Sequence, residues 1–270
     1  MAASDAWRWI PPEATSFEID GVQVIHYPAW AFTEFSVTPL ATGLAQDELP
    51  TLIARVRSAA IERSKSSMEW WISPSTAPDG FGDALLTAGA SLDETCDIYA
   101  FDMSERLPDV GPVDGIETVL VTDETALDDY ELVGNAVWGA PPAKDERRAH
   151  QLAELAKPDA EQTGWRVVAY ADGRPVANGG LEVVDGVARL WGAATLEDAR
   201  GRGAYRAVLL RRLQVGRDHG ATLALVHARI GTSGPIVRRC GFTSYGRGYS
   251  YLFDLGKEQL RSNDIRCTVQ

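Results

Sequence analysis

The chain is poor in cysteine: three in 270 residues, at Cys96, Cys240 and Cys267. An odd, widely spaced set builds no disulfide framework and suits a reducing compartment, so a cytoplasmic protein is expected. No Cys/His cluster has the spacing of zinc ligands, and no structural metal is expected. Long apolar runs are missing too. None approaches the roughly 20 residues that span a bilayer, so no membrane partner is expected. The N-terminus, Met1-Ala-Ala-Ser-Asp-Ala-Trp-Arg8, has no basic region followed by an apolar one, and no secretory signal is read there. Positive charge is also scarce. Lys and Arg number 26 against 38 Asp and Glu, a formal net charge of −12. Phosphate backbones need a basic surface, so no nucleic-acid partner is expected. The acidic balance mildly favours a cationic substrate by steering, and it equally serves solubility alone.

What the chain does have is alternation and turns. Strands are expected at 165–171, 176–184, 187–195, 222–228 and 248–255. Asp172-Gly173 and Asp185-Gly186 sit between the first three, where hairpin turns belong. Helices are expected at 126–138, at 144–157 before Pro158, at 204–220 and at 233–240 before Gly241. On the helix from Ala204, Val208, Leu209 and Leu213 fall at helical spacing, with Arg211, Arg212 and Arg217 expected to face outward. The order β-α-α-β-β-β-α-β-α-β describes an α/β (α+β) protein: a mixed, mostly antiparallel sheet flanked by helices.

The first half echoes the second at a shift of 152. Asp20-Gly21 falls on Asp172-Gly173, and Gly89 on Gly241. Tyr99-Ala-Phe-Asp-Met103 falls on Tyr251-Leu-Phe-Asp-Leu255. Thr51–Ser67 falls on the long helix and Met68–Ser73 on the strand after it. Residues 1–110 therefore read as a truncated, diverged copy of 116–270, with the Pro- and Gly-bearing stretch Leu107–Gly115 as linker.

The copies part where chemistry would sit. In Thr195-Leu-Glu-Asp-Ala-Arg-Gly-Arg-Gly-Ala-Tyr-Arg206 a strand ends, a glycine loop follows and a helix begins. A helix N-terminus carries unpaired N–H groups and partial positive charge, and glycines let phosphate oxygens approach. Arg200, Arg202 and Arg206 add charge, which makes this a pyrophosphate site. A dinucleotide fingerprint fails, because the third glycine is Arg206 and the flanking strands run through hairpins. A P-loop fails because no Gly-Lys-Ser/Thr follows. An ordinary glycine turn before a surface helix is the remaining alternative. Opposite this loop the first half has Glu48-Leu-Pro-Thr-Leu-Ile53, with no glycine and an acid in place of Arg200.

Arg200-Gly-Arg-Gly-Ala204, together with Ser233-Gly-Pro-Ile-Val-Arg-Arg-Cys-Gly-Phe242, resembles the GNAT (Gcn5-related N-acetyltransferase) superfamily over roughly Glu117–Leu255. Two positions depart from the family pattern. The sixth loop position is Tyr205 rather than a small residue, and Val237 stands where the family commonly has a tyrosine acid.

The resemblance implies a smaller GNAT-like domain followed by an acyltransferase domain, with acetyl-CoA or another acyl-CoA as donor. It implies that the backbone of Ala193, Ala194 and Thr195 holds the pantetheine arm. Arg200, Gly201, Arg202, Gly203, Ala204 and Tyr205 would hold the pyrophosphate, and Ser233 either binds the cofactor or, like Thr232, caps the helix. Glu182 and His227 are candidate bases. Tyr249 is a candidate acid, with Tyr205, Tyr251 and protonation of the coenzyme A thiolate by solvent as alternatives. Trp138 and Trp191 are candidate walls for a small-molecule amine acceptor, where a cation would stack on the rings. The expected activity is N-acyl transfer. The alternatives are a non-catalytic acyl-CoA-binding sensor or partner protein, or another acyl-CoA reaction such as hydrolysis or decarboxylation. Monomer and homodimer are both left open.

Overall fold

A computed structural model describes residues 1–39, 43–139 and 145–256. Lys144, expected at the start of a helix, and Cys267 lie outside them. The chain forms two compact units.

The first unit holds residues 1–96 and 246–270. Its described elements are α1 (Ala2–Asp5), β1 (Thr15–Ile19), β2 (Val22–His26), β3 (Phe35–Pro39), α2 (Leu49–Glu62), β4 (Ser67–Ile72), α3 (Phe81–Thr87) and the start of β5 (Ser91–Asp102). Asp20 and Gly21 both have positive φ, +46° and +83°, and close the β1–β2 hairpin as the two-residue turn requires. The sheet order is β1-β2-β3-β4-β11, where β11 (Thr243–Asp254) contributes its part from Gly246 on. β3 and β4 run parallel, whereas β4 and β11 pair antiparallel from Ile72↔Tyr249 to Ser67↔Asp254. Phe35, Trp70, Phe81 and Phe253 form the core under α2.

The second unit holds residues 97–245. It contains the end of β5, β6 (Ile116–Leu120), α4 (Glu124–Trp138), α5 (Asp145–Leu155), β7 (Gly164–Ala171), β8 (Arg174–Val184), β9 (Val187–Thr195), α6 (Ala204–Asp218), β10 (Leu223–Arg229) and α7 (Ser233–Arg239). The sheet order is β5-β10-β9-β8-β7-β6. β6 to β9 pair antiparallel, and β9–β10 is parallel. Asp172-Gly173 and Asp185-Gly186 take positive φ at both positions, so both expected hairpins form. α4 starts at Glu124, earlier than expected, because the Asp123 carboxylate accepts the Ala126 N–H at 2.8 Å. One face of the sheet packs on α6 and α7 through Leu181, Leu190, Leu209, Leu213 and Val237. The other packs on α4 through Leu127, Tyr130 and Val168.

The architecture is mixed α/β with mostly antiparallel sheets flanked by helices, as expected. The element order β-β-β-α-β-α-β occurs twice, as β1 to β5 and as β7 to β11. At a shift of 152, α3 overlays α7 and β5 overlays β11 residue for residue, while α2 and β4 come about three to five residues early against α6 and β10. The final strand of each copy serves the other unit: β11 completes the first sheet and the end of β5 the second. Among the described residues no helix is long and apolar enough to cross a membrane.

Candidate functional site

The site is built at the end of β9. Its ladder with β10 runs from Val187↔Leu223 to Leu190↔Val226 and stops, although β9 continues to Thr195 and β10 to Arg229. Beyond Leu190 the two strands part. On the other side β9 stays paired with β8, but Asn178↔Ala194 and Gly180↔Trp191 leave Gly192 and Ala193 together opposite Gly179. This is a β-bulge, and Gly192 takes φ +60° in it. The buried Asn178 amide secures it: Oδ1 accepts the Ala194 N–H at 3.2 Å and Nδ2 donates to the Tyr130 carbonyl at 2.7 Å. Leu196 N–H donates to the Val176 carbonyl, so by alternation the Thr195 N–H and C=O point away from β8, toward the parting. The Thr195 hydroxyl is buried without a hydrogen-bond partner.

The glycine loop follows directly. Gly201 (φ +79°) and Gly203 (φ +90°) hold left-handed backbone, which glycine adopts without a Cβ penalty. Nothing lies within 4 Å of a Cβ placed on Gly201. Gly203 caps α6 without a side chain, so the first-turn N–H groups have no capping partner on it. The three loop arginines differ. Arg202 meets Asp172 at 3.2 Å and Arg206 donates to the Val110 and Pro112 carbonyls, while Arg200 is exposed. The local arrangement gathers backbone donors, a helix terminus and an exposed positive charge, a combination that suits an anion.

The other expected site residues fall as follows. His227 is the first β10 residue past the last pair with β9, half-buried at the root of the parting. Glu182 stands opposite Arg189 on β9, its Oε1 at 3.6 Å from the guanidinium, one pleat nearer the β8–β9 turn than Trp191. Its carboxylate is therefore held by an arginine rather than presented to the gap. Tyr249 belongs to the first unit, on the strand segment that pairs with β4, as does Tyr251. Neither belongs to the unit that holds the loop. Neither Thr232 nor Ser233 caps α7: Thr232 makes no side-chain cap bond, and the Ser233 hydroxyl accepts the Arg229 N–H at 3.1 Å. The Trp faces are taken by the protein's own cations. Arg229 lies over Trp138 at 4.6 Å and Arg166 over Trp191 at 5.7 Å. The Tyr205 side chain packs inward on the α6–α7 core, which leaves its backbone for the loop.

Arg212 overturns the expectation of an outward face. It is 1% exposed, with Nη1 donating to the Gly180 carbonyl at 3.1 Å and lying 3.4 Å from that of Trp191. The reason is Gly179. A Cβ there would stand 3.0 Å from the guanidinium carbon, so the bare backbone makes the room. The neighbouring Gly180 does the same on the opposite face for the Trp191 ring. Asn178 and Arg212 were not singled out from the sequence. The signal for Asn178 was present, as one amide in the apolar run Val176-Ala-Asn-Gly-Gly180. Among the described residues no cluster of His, Cys, Asp or Glu is arranged to hold a metal ion.

In the first unit the segment matching the loop lines a cavity of about 580 Å³ with Asp20, Asp47, Glu48 and Arg55. Glu48 turns back to accept the Ala45 N–H. Three carboxylates against one guanidinium repel a phosphate.

No protein-family model matches the chain, and no curated protein does. Solved structures do. A GCN5-related N-acetyltransferase from Kribbella flavida is 18% identical, with a TM-score of 0.66 over 88% of this chain and 89% of that one. A conserved protein of unknown function from Staphylococcus epidermidis is 15% identical, with a TM-score of 0.67 over 93% and 99%. A tandem GNAT protein from the clavulanic acid biosynthesis pathway is 12% identical, with a TM-score of 0.54 over 94% and 87%. The chain thus has the fold of the GNAT N-acetyltransferases. All three likenesses run over most of the chain, from 88% to 94% of it.

Proposed function

We propose that the second copy binds acetyl-CoA or another short acyl-CoA and transfers its acyl group to the amine of a small molecule. In this reading the first copy, about residues 1–110, is a degenerate relative without a donor site, and the acyltransferase copy spans about 116–270. The observation that carries the proposal is the parting of β9 from β10 beside a bulge, leading straight into a left-handed glycine loop at a helix N-terminus.

The residues divide the work by position. The N–H groups of the 201–205 loop and the Arg200 guanidinium bind the diphosphate. The Thr195 backbone and hydroxyl, with Ala193 in the bulge, hold the pantetheine arm and polarise the thioester carbonyl where charge develops. His227, at the root of the parting, takes the proton of the attacking amine, a role suited to an imidazole near neutral pH. Glu182, already held by Arg189, is the weaker candidate.

Calorimetry with acetyl-CoA tests the binding, and thiol release over a panel of amines tests the chemistry. Arg200→Glu is expected to weaken acetyl-CoA binding at least about tenfold, since a charge-assisted contact contributes about 1.5–3 kcal/mol and is here replaced by repulsion. Glu48→Arg is expected to leave binding unchanged. Equal effects of the two substitutions would sink the asymmetric reading, and absence of binding would sink the donor. A second reading, an acyl-CoA-binding protein without turnover, draws on the fully buried Val237 on α7 and on the Glu182–Arg189 pair. Binding without thiol release from any amine would favour it.

A further inference from the structure

Arg212 has no evident partner for its charge. Among the described residues no carboxylate meets its guanidinium; its side-chain partner is the Tyr205 phenol, a neutral group, and Nε and Nη2 make no close hydrogen bond. Nη1 donates to the Gly180 carbonyl and lies 3.4 Å from that of Trp191. Burying a cation with only neutral partners is costly. Its position is specific. Trp191 is the first β9 residue past the last pair with β10, so the guanidinium sits directly beneath the root of the parting, on the α6 face.

The ionisable groups around it are few. On α6 there is the Tyr205 phenol, on α4 the Tyr130 phenol, and after α7 the Cys240 thiol near Tyr205. Burial pushes Tyr130 up to about 12 and raises Tyr205 and Cys240, so all three are neutral near pH 7 and none balances the arginine. α7, Ser233–Arg239, carries no tyrosine; Val237 packs in this core.

Resting on the acyl-CoA reading, we propose that Arg212 is the built-in counter-charge for the sulfur of the departing coenzyme, which leaves as a thiolate rather than being protonated in place. The atoms balance without an acid. The amine nitrogen bonds to the acyl carbon, and the C–S electron pair passes to sulfur. The proton of the new ammonium goes to water through His227. The thiolate takes a proton from solvent after release. A fixed charge in a dry site favours the ionised thiol strongly and costs no reorganisation when the bond breaks.

The test needs no acceptor. Free CoA is bound to the full-length protein, and its thiol is titrated by the ultraviolet absorbance of the thiolate. The complex with desulfo-CoA is subtracted to remove the protein's own thiols and phenols. The bound thiol is expected to titrate about one pH unit or more below free CoA. Arg212→Gln keeps a donor for the Gly180 carbonyl and is expected to abolish the shift with CoA still bound, while Arg212→Lys keeps most of it. A wild-type thiol that titrates like free CoA overturns the proposal even if the variants fail to fold. Equal shifts in wild type and Arg212→Gln also overturn it. If CoA does not bind wild-type protein at all, the donor reading itself falls, which is a separate result.

Discussion

At the residue scale the site depends on what is missing from two adjacent positions. Gly179 leaves space on the α6 face for Arg212, and Gly180 leaves space on the α4 face for Trp191. Each glycine therefore admits one large side chain to a sheet that would otherwise be closed by β-carbons. A Cβ on Gly180 would stand 2.4 Å from the Trp191 ring, closer than packed atoms come, and the ring is part of the wall over the bulge. Gly180→Ala is accordingly expected to lower the unfolding free energy by about 1–3 kcal/mol, the usual cost of overpacking. Gly231→Ala, where an added Cβ meets nothing within 4 Å, is the control and is expected to be near neutral. Denaturant unfolding of the two variants checks this. Equal stability of both would mean that Trp191 is not confined as described.

At the element scale, side chains as well as the ladder hold particular strand ends. Asn178 fastens the β9 bulge to α4, and Arg206 fastens the linker carbonyls of Val110 and Pro112 to α6. In the first unit, Glu34 does this for β4. It accepts the Ser66 N–H and hydroxyl and the Ser67 N–H. Partial burial raises its carboxyl, but these donors, with Lys65 nearby, outweigh it and leave the group below its ordinary value. A depressed carboxylate contributes stability above its unfolded-state value and loses it as pH falls through the folded one. Glu34→Gln is thus expected to be less stable than wild type near neutral pH, with the difference shrinking as pH falls below about 4.5, the ordinary range of the group. Thermal unfolding across pH shows it. A difference that persists unchanged into acid would assign Glu34 a role other than its charge.

At the scale of the whole molecule, the two units trade their final strands. A chain cut near residue 110 leaves the N-terminal piece without β11, the strand that covers Trp70 and Met68 on β4. It also leaves the C-terminal piece without the end of β5, which supplies Tyr99 to the core around Leu190 and Val226. Neither piece, 1–110 or 111–270, is expected to unfold cooperatively alone, and mixing them is expected to restore a cooperative transition by circular dichroism. Independent cooperative folding of 1–110 would contradict this account.

Much was legible in the sequence because it depends on neighbours along the chain. Asp-Gly pairs dictate two-residue hairpin turns wherever strands flank them, and all three form. A glycine run between a strand and a helix dictates left-handed backbone and an open helix terminus. The repeat, too, could be read, since a turn, a helix end and a last strand recur at one spacing. Other features depend on residues far apart. Whether Arg212 faces water or the sheet turns on a glycine 33 positions earlier on another strand. Whether Glu182 is presented or paired turns on Arg189 across a hairpin, and whether Tyr249 joins the loop's unit turns on which sheet its strand completes. A glycine loop is a local conformation and was fixed by its own residues. The place of a charge or a strand is a matter of what packs against it, and only the tertiary structure supplied that.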